Sequence, residues 1–424
     1  MRADAIDRLA SLVPSWPDLP FHDRGEGGLA AAIVLESIRR WRCAEWLVGC
    51  AAEREAGSLE APLRAALMSA VAQIAFMDEP AHAVVNETVE WTKRRIRPGA
   101  GRITNAVLRR IVGWLAERMP RPLDWWRRRD LLLRADGSAV RLDGPRLPED
   151  FAERLAIDSS HSTALVRRWI ERHGEPTAAA IAAHGVMQPP RLVADPRSFL
   201  RDSPHAAPHR DPGFAVWTGP FAELSAALGR DASLRVQDPG SARAVARTAG
   251  LAPRLIVDAC AGRGTKTRQC AELHPNAQIV AGDRDAERAR ALETAFRGHP
   301  RVSVKSSREI LELRGVDLLI LDVPCSNSGV LARRPEAKAR FDSKRLASLV
   351  ELQARIVESH LPLLSPGGRV LYATCSLEPE ENEAIVPLLE RRLGRAASIE
   401  TLRPTGLPGD DPAEYRDGGG SILL

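Results

Sequence analysis

The sequence has few cysteines and no long apolar run, and each of these shortages excludes a class of protein. No stretch approaches the roughly 18 apolar residues that a membrane-spanning helix needs, and the first residues lack the apolar core of a secretory signal. Six cysteines in 424 residues are too few for a disulfide scaffold. None forms a C-x-x-C pair, which argues against structural zinc. We therefore expect a soluble cytoplasmic protein that binds no metal and enters no membrane.

Lysine is also scarce, although the chain is basic. Only five of the 60 basic residues are lysines, and the net charge of +5 suits a polyanionic partner. A GC-rich genome would by itself explain the excess of arginine, but arginine also suits bidentate contacts with phosphate. Where arginine is the default, a retained lysine is informative, and Lys266 lies within a glycine-rich turn.

Residues 1–145 have the periodicity of helices. Apolar residues recur at three- and four-residue spacing in 29–50 and 63–77, and the segments 78–96 and 102–119 have similar patterns. We see no strand alternation here. The pattern predicts an all-α domain of about five to seven helices.

The remainder of the chain divides in two. Residues 146–232 are rich in Pro, Gly, Asp and His, apart from a helical patch at 163–184, and we predict a linker and a small α/β subdomain. Over 233–424 apolar strands alternate with helices, which predicts a Rossmann-like α/β domain with a parallel sheet covered on both faces. Such sheets bind ligands at the carboxyl ends of their strands, so we expect the chemistry just after residues 259, 283, 322 and 374.

The first strand of this domain ends in the turn Asp-Ala-Cys-Ala-Gly-Arg-Gly-Thr-Lys-Thr, residues 258–267. Gly262 and Gly264 would let the backbone approach a ligand at the start of the next helix. A phosphate-binding P-loop is disfavoured because Thr265 separates the glycine from the lysine. Asp283, at the end of the second strand, is placed to bind ribose hydroxyls. The pattern predicts a cofactor that contains a nucleoside, against the alternative of a structural turn with a surface aspartate.

Two cysteines follow neighbouring strands. Cys325 stands behind Asp322-Val-Pro, and Cys375 lies between a threonine and a serine. A single cysteine is most often a small buried apolar residue. Two at the ligand-binding edge suggest a thiolate that adds to carbon 6 of a pyrimidine, with Asp322 as the acid at ring nitrogen 3. Carbon 5 then becomes electron-rich and can accept a methyl group from S-adenosylmethionine (AdoMet). A base within structured nucleic acid would have to be turned out to reach this site.

Several segments resemble the NOL1/NOP2/Sun family of RNA 5-methylcytosine methyltransferases. They are DACAGRGTKT, DRDAER, LDVPCSNSGVLARRPEAK and YATCSLEPEENE. The segment MDEPAHAVVNETVEWTKRRIRPGAGRITNAVLRRI is similar to a NusB-like RNA-binding domain, and this combination is typical of bacterial 16S rRNA methyltransferases. The resemblance spans about residue 30 to 424. It implies AdoMet as cofactor, cytosine-C5 methylation of 16S rRNA through a covalent adduct, and a monomeric enzyme.

The resemblance also implies roles for single residues. Cys375 corresponds to the nucleophile, Cys325 to the thiol that assists release of the methylated base, and Asp322 to the acid at the cytosine ring. The positions that correspond to AdoMet-binding residues are Cys260, Ala261, Gly262, Arg263, Gly264, Thr265, Lys266, Asp283, Arg288 and Asp322. DNA methyltransferases use the Pro-Cys cysteine as nucleophile, which would favour Cys325 instead. Thr-Cys-Ser and the RNA-type N-terminal region argue against that assignment.

The chain departs from the family pattern at several positions. Arg263-Gly-Thr-Lys stands where the family has Pro-Gly-Gly-Lys, so one glycine of the cofactor turn is lost while Lys266 remains. Ser326-Asn-Ser-Gly replaces Ser-Gly-Thr-Gly, and serines at 306 and 307 stand where an acid is usual. Two alternatives therefore remain open. In the first, the protein is a catalytically weak or inactive RNA-binding factor of ribosome assembly. In the second, it performs the same chemistry on tRNA.

The N-terminal half also carries a cluster of arginines. These are Arg94, Arg95, Arg97, Arg102, Arg109 and Arg110. They surround one interhelical turn and the start of the next helix, and we predict that they contact RNA phosphates. The alternative is an ordinary solvated face in an arginine-rich protein.

Overall fold

The computed structural model describes residues 1–21, 27–231 and 233–424, which group into two compact units. Unit 1 comprises Met1–Pro189, Leu331–Asp342 and Leu407–Asp410. Unit 2 comprises Pro190–Val330, Ser343–Gly406 and Asp411–Leu424. The division of the chain into domains 1–145, 146–232 and 233–424 stays a prediction, because grouping by packing does not test which segments fold independently.

Unit 1 is mainly helical. Its helices are α1 (Arg2–Leu12), α2 (Leu29–Arg39), α3 (Trp41–Ala52), α4 (Ala61–Val71), α5 (Ala81–Arg95), α6 (Pro98–Trp114), α7 (Phe151–Ser159), α8 (Thr163–His173) and α9 (Glu175–His184). Leu9, Leu47, Leu67 and Leu108 from four of these helices are buried in one apolar core. Burial of this apolar surface drives the packing. The predicted helical N-terminal domain is confirmed.

Unit 1 also contains a small sheet that the periodicity did not predict. Its strands are β1 (Leu115–Pro120), β2 (Leu131–Leu133) and β3 (Ser138–Leu142), paired antiparallel in the order β1-β3-β2. The predicted helix 102–119 ends at Trp114, and the next six residues form β1. The residues Leu-Ala-Glu-Arg-Met favour a helix locally, but pairing with β3 outweighs this weak preference.

Unit 2 contains eleven strands and seven α-helices in its described residues. The strands are β4 (Arg191–Ala194), β5 (Ala206–Pro208), β6 (Phe214–Trp217), β7 (Arg235–Val236), β8 (Leu255–Asp258), β9 (Gln278–Ala281), β10 (Val302–Val304), β11 (Val316–Asp322), β12 (Leu364–Thr374), β13 (Ser398–Leu402) and β14 (Gly419–Leu423). The helices are α10 (Phe221–Arg230), α11 (Pro239–Ala246), α12 (Thr265–Leu273), α13 (Ala286–Phe296), α14 (Ser307–Leu311), α15 (Ser343–His360) and α16 (Val386–Leu393).

The main sheet of unit 2 has seven strands in the order β10-β9-β8-β11-β12-β14-β13. The five strands from β10 to β12 are parallel and confirm the predicted Rossmann-like domain. β14 and β13 extend it in antiparallel orientation. The sequence pattern did not reveal these two, because glycines begin β14 and β13 is short and partly exposed.

The predicted linker and small subdomain are divided between the units. Helices α7 to α9 belong to unit 1, whereas β4 to β7 form a four-stranded antiparallel sheet in unit 2, in the order β5-β6-β4-β7. Val193, Trp217 and Leu224 form a separate small core between this sheet and α10. None of the described helices is both long and apolar enough to span a lipid bilayer.

Candidate active site

The parallel register of the main sheet brings three strand ends to one edge. In β8 and β11, Asp258 pairs with Ile320, and in β11 and β12, Asp322 pairs with Ala373. The turns that follow β8, β11 and β12 therefore start at the same edge of the sheet. This edge is where parallel α/β sheets bind ligands.

The turn after β8 has an open, glycine-lined surface. Gly262 and Gly264 have φ of +57° and +87°, in the left-handed region that favours glycine. A Cβ on Gly264 would lie 2.4 Å from the Phe296 ring, whereas a Cβ on Gly262 would meet no atom within 4 Å. The Gly262 N–H donates to Asp283 Oδ2 at 2.9 Å. The predicted carboxylate at the second strand end thus lies directly beside the glycine turn.

Lys266, in the first turn of α12, is joined to Asp322. Its Nζ lies 2.7 Å from Asp322 Oδ2 and 3.1 Å from Ser241 Oγ. Burial alone would lower the pKa of Lys266, but the Asp322 carboxylate outweighs burial and raises this pKa above its usual value. The Lys266 side chain is 14% exposed and that of Asp322 is 33% exposed. The pair is therefore held in place yet open to a ligand.

The two cysteines at the strand ends are in contact. Cys325 Sγ lies 3.2 Å from Cys375 Sγ, and both residues are half-buried free thiols. The hydrogen bond with Cys375, followed by burial, raises the pKa of the Cys325 thiol well above its usual value. Two thiols so close cannot both ionise easily, because the second negative charge would face the first. The geometry therefore favours one thiolate at a time.

Asn327 links the two cysteines through its side-chain amide. The Cys375 thiol donates to Asn327 Oδ1 at 3.2 Å, and Asn327 Nδ2 donates to the Cys325 carbonyl at 3.1 Å. Asn327 has φ of +62°, a conformation that asparagine tolerates better than most residues. The departure from the family pattern at this position therefore places an amide on the predicted nucleophile.

A buried carboxyl group supports the loop that carries Cys325. Glu381 accepts hydrogen bonds from the Ser326 N–H at 2.8 Å, the Ser326 hydroxyl at 2.5 Å and Gln353 Nε2 at 3.0 Å. Burial raises the pKa of Glu381. The Tyr372 hydroxyl donates to the Glu381 carbonyl at 2.8 Å and ties the group to β12. The network fixes the loop after β11 against β12, the strand that ends just before Cys375.

A second buried carboxyl group lies below the cofactor turn. Asp258, at the end of β8, is fully buried and accepts a hydrogen bond from the Thr267 hydroxyl at 2.6 Å. Burial raises the pKa of Asp258 to about 7. The contact with Thr267 joins the end of β8 to the first turn of α12. Asp258 therefore holds the turn in shape.

Other predicted cofactor residues lie on the turn or beside it. Cys260 is half-buried, and burial raises the pKa of its thiol. The Ala261 N–H donates to the Gly282 carbonyl at 2.9 Å, and Thr265 begins α12 with an exposed side chain. Arg263 is exposed and lies 3.9 Å from Glu287.

Arg288 is the predicted residue with the least direct connection to the site. Its N–H donates to Asp285 Oδ1 in the first turn of α13, and its side chain is exposed. No described contact joins that side chain to the turn or to the cysteines.

The position after β10, where the family pattern has an acid, also differs from that pattern. Ser306 caps α14 there, and Glu309 is held in the reciprocal capping box, so this acid is engaged in stabilising the helix start.

Sequence reasoning missed three residues of this region as site residues. Ser241 contacts Lys266 from α11, Asn327 contacts Cys375, and Glu381 holds the Cys325 loop. The second and third lie in segments already matched to the family, so their proximity to the cysteines along the chain was a usable signal. Ser241 had none, because its contact depends on how α11 packs on α12.

The predicted arginine cluster lies on an exposed surface of unit 1, but several of its members are paired with acids. Arg95 lies 3.0 Å from Asp7, Arg97 lies 2.6 Å from Glu60, and Arg110 pairs with a third acid, Glu53, at 2.6 Å. Exposed pairs of this kind contribute little to stability and exchange readily. A phosphate could therefore replace these acids.

Across the described ranges, no three His, Cys, Asp or Glu side chains are grouped so that they could hold a metal ion.

Comparison with known proteins gives two family matches. The family described as 16S rRNA methyltransferase RsmB/F matches residues 251–407, and the NusB family matches residues 21–113.

Individual relatives extend over most of the chain. A ribosomal RNA small subunit methyltransferase B from Xanthomonas campestris pv. campestris is 30% identical and covers 88% of this chain and 82% of its own. A protein of the same name from Erwinia tasmaniensis is 29% identical over 95% of this chain and 91% of its own. The solved structure of the protein PH0851 has a TM-score of 0.70 at 20% identity, covering 99% of this chain and 98% of that one. This last likeness concerns the fold alone.

Proposed function

Because the chain belongs to the RsmB/F family of 16S rRNA methyltransferases, we propose that it methylates carbon 5 of a cytosine in 16S rRNA, with AdoMet as methyl donor. The family makes it a methyltransferase with an RNA substrate. The position of the methyl group on the base, the covalent route and the identity of the RNA are our proposals. A cytoplasmic location follows from an rRNA substrate.

The observation that carries the proposal is the pair of thiols at 3.2 Å next to the Lys266–Asp322 ion pair. Methylation of an amino group or a hydroxyl group needs no thiol nucleophile. Methylation of carbon 5 of a pyrimidine does, because this carbon becomes nucleophilic only after another group has added to carbon 6. A soft thiolate suits that addition.

The cofactor turn suits AdoMet. The open space over Gly262, the adjacent Asp283 carboxylate and the start of α12 together provide polar contacts for a ribose and room for a nucleoside. When bound, AdoMet supplies an electrophilic methyl group on its sulfonium sulfur. Cys260 to Lys266, Asp283 and Asp322 would hold it, and Arg288 would reach it only from the exposed rim.

In the addition step, Cys375 acts as nucleophile and Asp322 as the contact to ring nitrogen 3. The Cys375 thiol loses its proton to solvent as its sulfur forms a bond to carbon 6, and nitrogen 3 gains a proton as the ring accepts the electron pair. Lys266 holds a proton 2.7 Å from Asp322, so this pair can deliver it to the base. Lys266 and Asp322 also position the cytosine ring.

In the release step, Cys325 assists. The Cys325 thiolate takes the carbon 5 proton, and the bond between carbon 6 and Cys375 breaks with its electron pair returning to the sulfur. Nitrogen 3 gives its proton back to the Lys266–Asp322 pair, and the methylated base is set free. The hydrogen bond with Cys375 is the largest cause of the raised pKa of Cys325 in the free protein. That cause is lost once the Cys375 sulfur is bonded to carbon. Cys325 can therefore ionise more readily at this stage, and its thiolate can accept the carbon 5 proton.

Purified protein should transfer labelled methyl from AdoMet to small-subunit rRNA that lacks the modification, and digestion of the product should yield 5-methylcytidine. Unmodified tRNA serves as the comparison substrate for the alternative within the same chemistry. Methyl on a position other than carbon 5 would refute the proposed mechanism.

The structure also gives one argument for the second candidate, an RNA-binding assembly factor. Glu309, the first acid after β10, is held in a helix cap, so it does not take the place of the acid that the family pattern has there. Calorimetric titration with AdoMet decides between the two. An enzyme binds AdoMet, whereas rRNA binding without any AdoMet binding would favour the assembly factor.

A further inference from the structure

Asn327 holds the Cys375 thiol in a way that the proposed reaction does not require. The amide oxygen accepts the thiol proton at 3.2 Å, and the amide nitrogen is bound to the Cys325 carbonyl at 3.1 Å. The amide is therefore fixed at both ends, and its oxygen, not its nitrogen, faces the sulfur. An acceptor in that position favours a thiol over a thiolate, because a thiolate has no proton to donate and would face the negative end of the amide dipole.

A second group acts on the same sulfur in the opposite sense. The Lys266 ammonium interacts electrostatically with Cys375, and a nearby cation favours the thiolate. The Asn327 oxygen and the Lys266 ammonium thus compete over the state of one thiol. The Asn327 oxygen is in direct contact with the sulfur, whereas the Lys266 ammonium makes its hydrogen bonds with Asp322 and Ser241.

We propose that Asn327 keeps the Cys375 thiol protonated and unreactive in the free protein, so that its reactivity rises only when this hydrogen bond is broken. The role in catalysis rests on the proposed function, since it takes Cys375 as the nucleophile. The effect on the thiol itself does not. A bound base that contacts the Cys375 sulfur would have to displace the Asn327 oxygen, and this displacement would expose the nucleophile only when a substrate is present.

The backbone at position 327 allows two clean variants. Its φ of +62° is freely adopted by glycine and tolerated by aspartate, so neither Asn327→Gly nor Asn327→Asp should strain the loop. Asn327→Gly removes the acceptor. Asn327→Asp keeps an acceptor oxygen of the same size and adds a negative charge, but removes the donor to the Cys325 carbonyl.

The full-length protein is treated with iodoacetamide at fixed pH, without RNA or AdoMet, and the modification of each cysteine is followed by peptide mass spectrometry. In this reaction the sulfur bonds to the carbon of the reagent, iodide leaves and the thiol proton passes to the buffer. We expect Cys375 to react about threefold to tenfold faster in Asn327→Gly and severalfold slower in Asn327→Asp than in the wild type. Cys50, half-exposed in α3 of unit 1, is the internal control and should react equally in all three.

The aspartate variant separates the hydrogen bond from a mere loosening of the loop. A looser loop would expose both cysteines, so Cys325 and Cys375 would react faster in both variants, and the proposal would be wrong. An unchanged rate at Cys375 in Asn327→Gly would also overturn it. The assay involves no methyl transfer. A protein that shows the expected alkylation order yet never methylates RNA would refute the proposed function and leave the role of Asn327 standing.

Discussion

Lys266 in unit 2 and Lys338 in unit 1 are both largely shielded from water, but their amino groups have opposite surroundings. Lys266 lies 2.7 Å from the Asp322 carboxylate, which raises the pKa of the lysine. Lys338 is 1% exposed and donates to the carbonyls of Arg39 and Ser159 at 3.2 and 3.1 Å. Burial, and then the positive charge of Arg40, lowers the pKa of Lys338 well below its usual value.

The difference shows why burial alone does not indicate a functional site. Lys266 is paired with a carboxylate that is one third exposed, so a ligand can reach the pair and a proton can move within it. Lys338 is enclosed by its own unit and satisfies two backbone carbonyls. We therefore expect changes around Lys266 to alter activity more than stability, and changes around Lys338 to do the reverse.

The greatest change in activity is expected at the thiols of unit 2. Cys375→Ala removes the atom that bonds to carbon 6, and turnover should fall by at least roughly 10³-fold. Cys325→Ala should still form the adduct but release it slowly, so a protein–RNA band that resists denaturant should accumulate on a gel, with methyl transferred once per enzyme. An adduct trapped by Cys375→Ala, with Cys325→Ala showing none, would reverse the assignment.

The two lysines themselves form a matched pair of substitutions. Lys266→Met should lower kcat about 10²- to 10³-fold, because the proton donor and the partner of Asp322 are lost, with little change in unfolding free energy. Lys338→Met leaves two buried carbonyls without their donor and should cost about 1–3 kcal/mol of stability. Its kcat per folded molecule should remain that of the wild type. Urea unfolding and methyl transfer are measured on both variants. A similar loss of kcat in both would contradict the view that Lys266 acts in catalysis and Lys338 in stability.

The dependence of stability on pH tests whether buried carboxyl groups behave alike in the two units. Burial raises the pKa of Asp158 in unit 1 to about 7, as it does for Asp258 in unit 2. Each folded pKa is above the unfolded value, so the folded state retains a proton that the unfolded state loses. The contribution of these two groups to the unfolding free energy should therefore fall as the pH rises from about 4 to about 7 and level off above that range.

Asp158→Asn should remove its share of this slope, on the order of 2–4 kcal/mol between the ends of the range. Urea unfolding at pH 5 and pH 8 measures it. Asp258→Asn is the counterpart in unit 2 and should flatten the profile in the same way. A stability difference between the wild type and Asp158→Asn that is the same at pH 5 and pH 8 would contradict the raised pKa of Asp158, and the same outcome for Asp258→Asn would contradict that of Asp258.

The smallest effect is expected on the exposed face of unit 1. Replacing Arg94, Arg95 and Arg102 by Glu should weaken rRNA binding about tenfold and reduce its dependence on salt, since fewer counterions are released. A matched triple on exposed arginines of unit 2 is Arg290→Glu, Arg297→Glu and Arg308→Glu. An equal loss of rRNA affinity in both triple variants would indicate a non-specific effect of the changed net charge. An unchanged affinity in the unit 1 variant would contradict the predicted RNA-binding surface.

Local sequence patterns were sufficient to predict the helices and strands whose apolar residues recur at regular spacing or in continuous runs. The apolar spacing of α2 to α5 and the four- to six-residue apolar runs of β8, β9 and β11 predicted the helical domain and the parallel sheet. They were insufficient for β1, β13 and β14, because these strands are specified by the partners with which they pair. The segment 331–342 illustrates the same limit. It follows the Cys325 loop along the chain, but its packing places it in unit 1.

The sequence by itself determined that Asp322 ends a buried strand and that Cys325 and Cys375 follow buried strands, because hydrophobic runs mark strands and parallel strands share one ligand-binding edge. It also determined that a glycine turn and an acid stand at the first two strand ends. Only the tertiary structure decided the contacts of these groups: the 3.2 Å between the thiols, the amide of Asn327 on Cys375 and the pairing of Lys266 with Asp322. Such contacts join residues up to 56 positions apart, and their distances depend on how loops and helices pack, which no local pattern encodes.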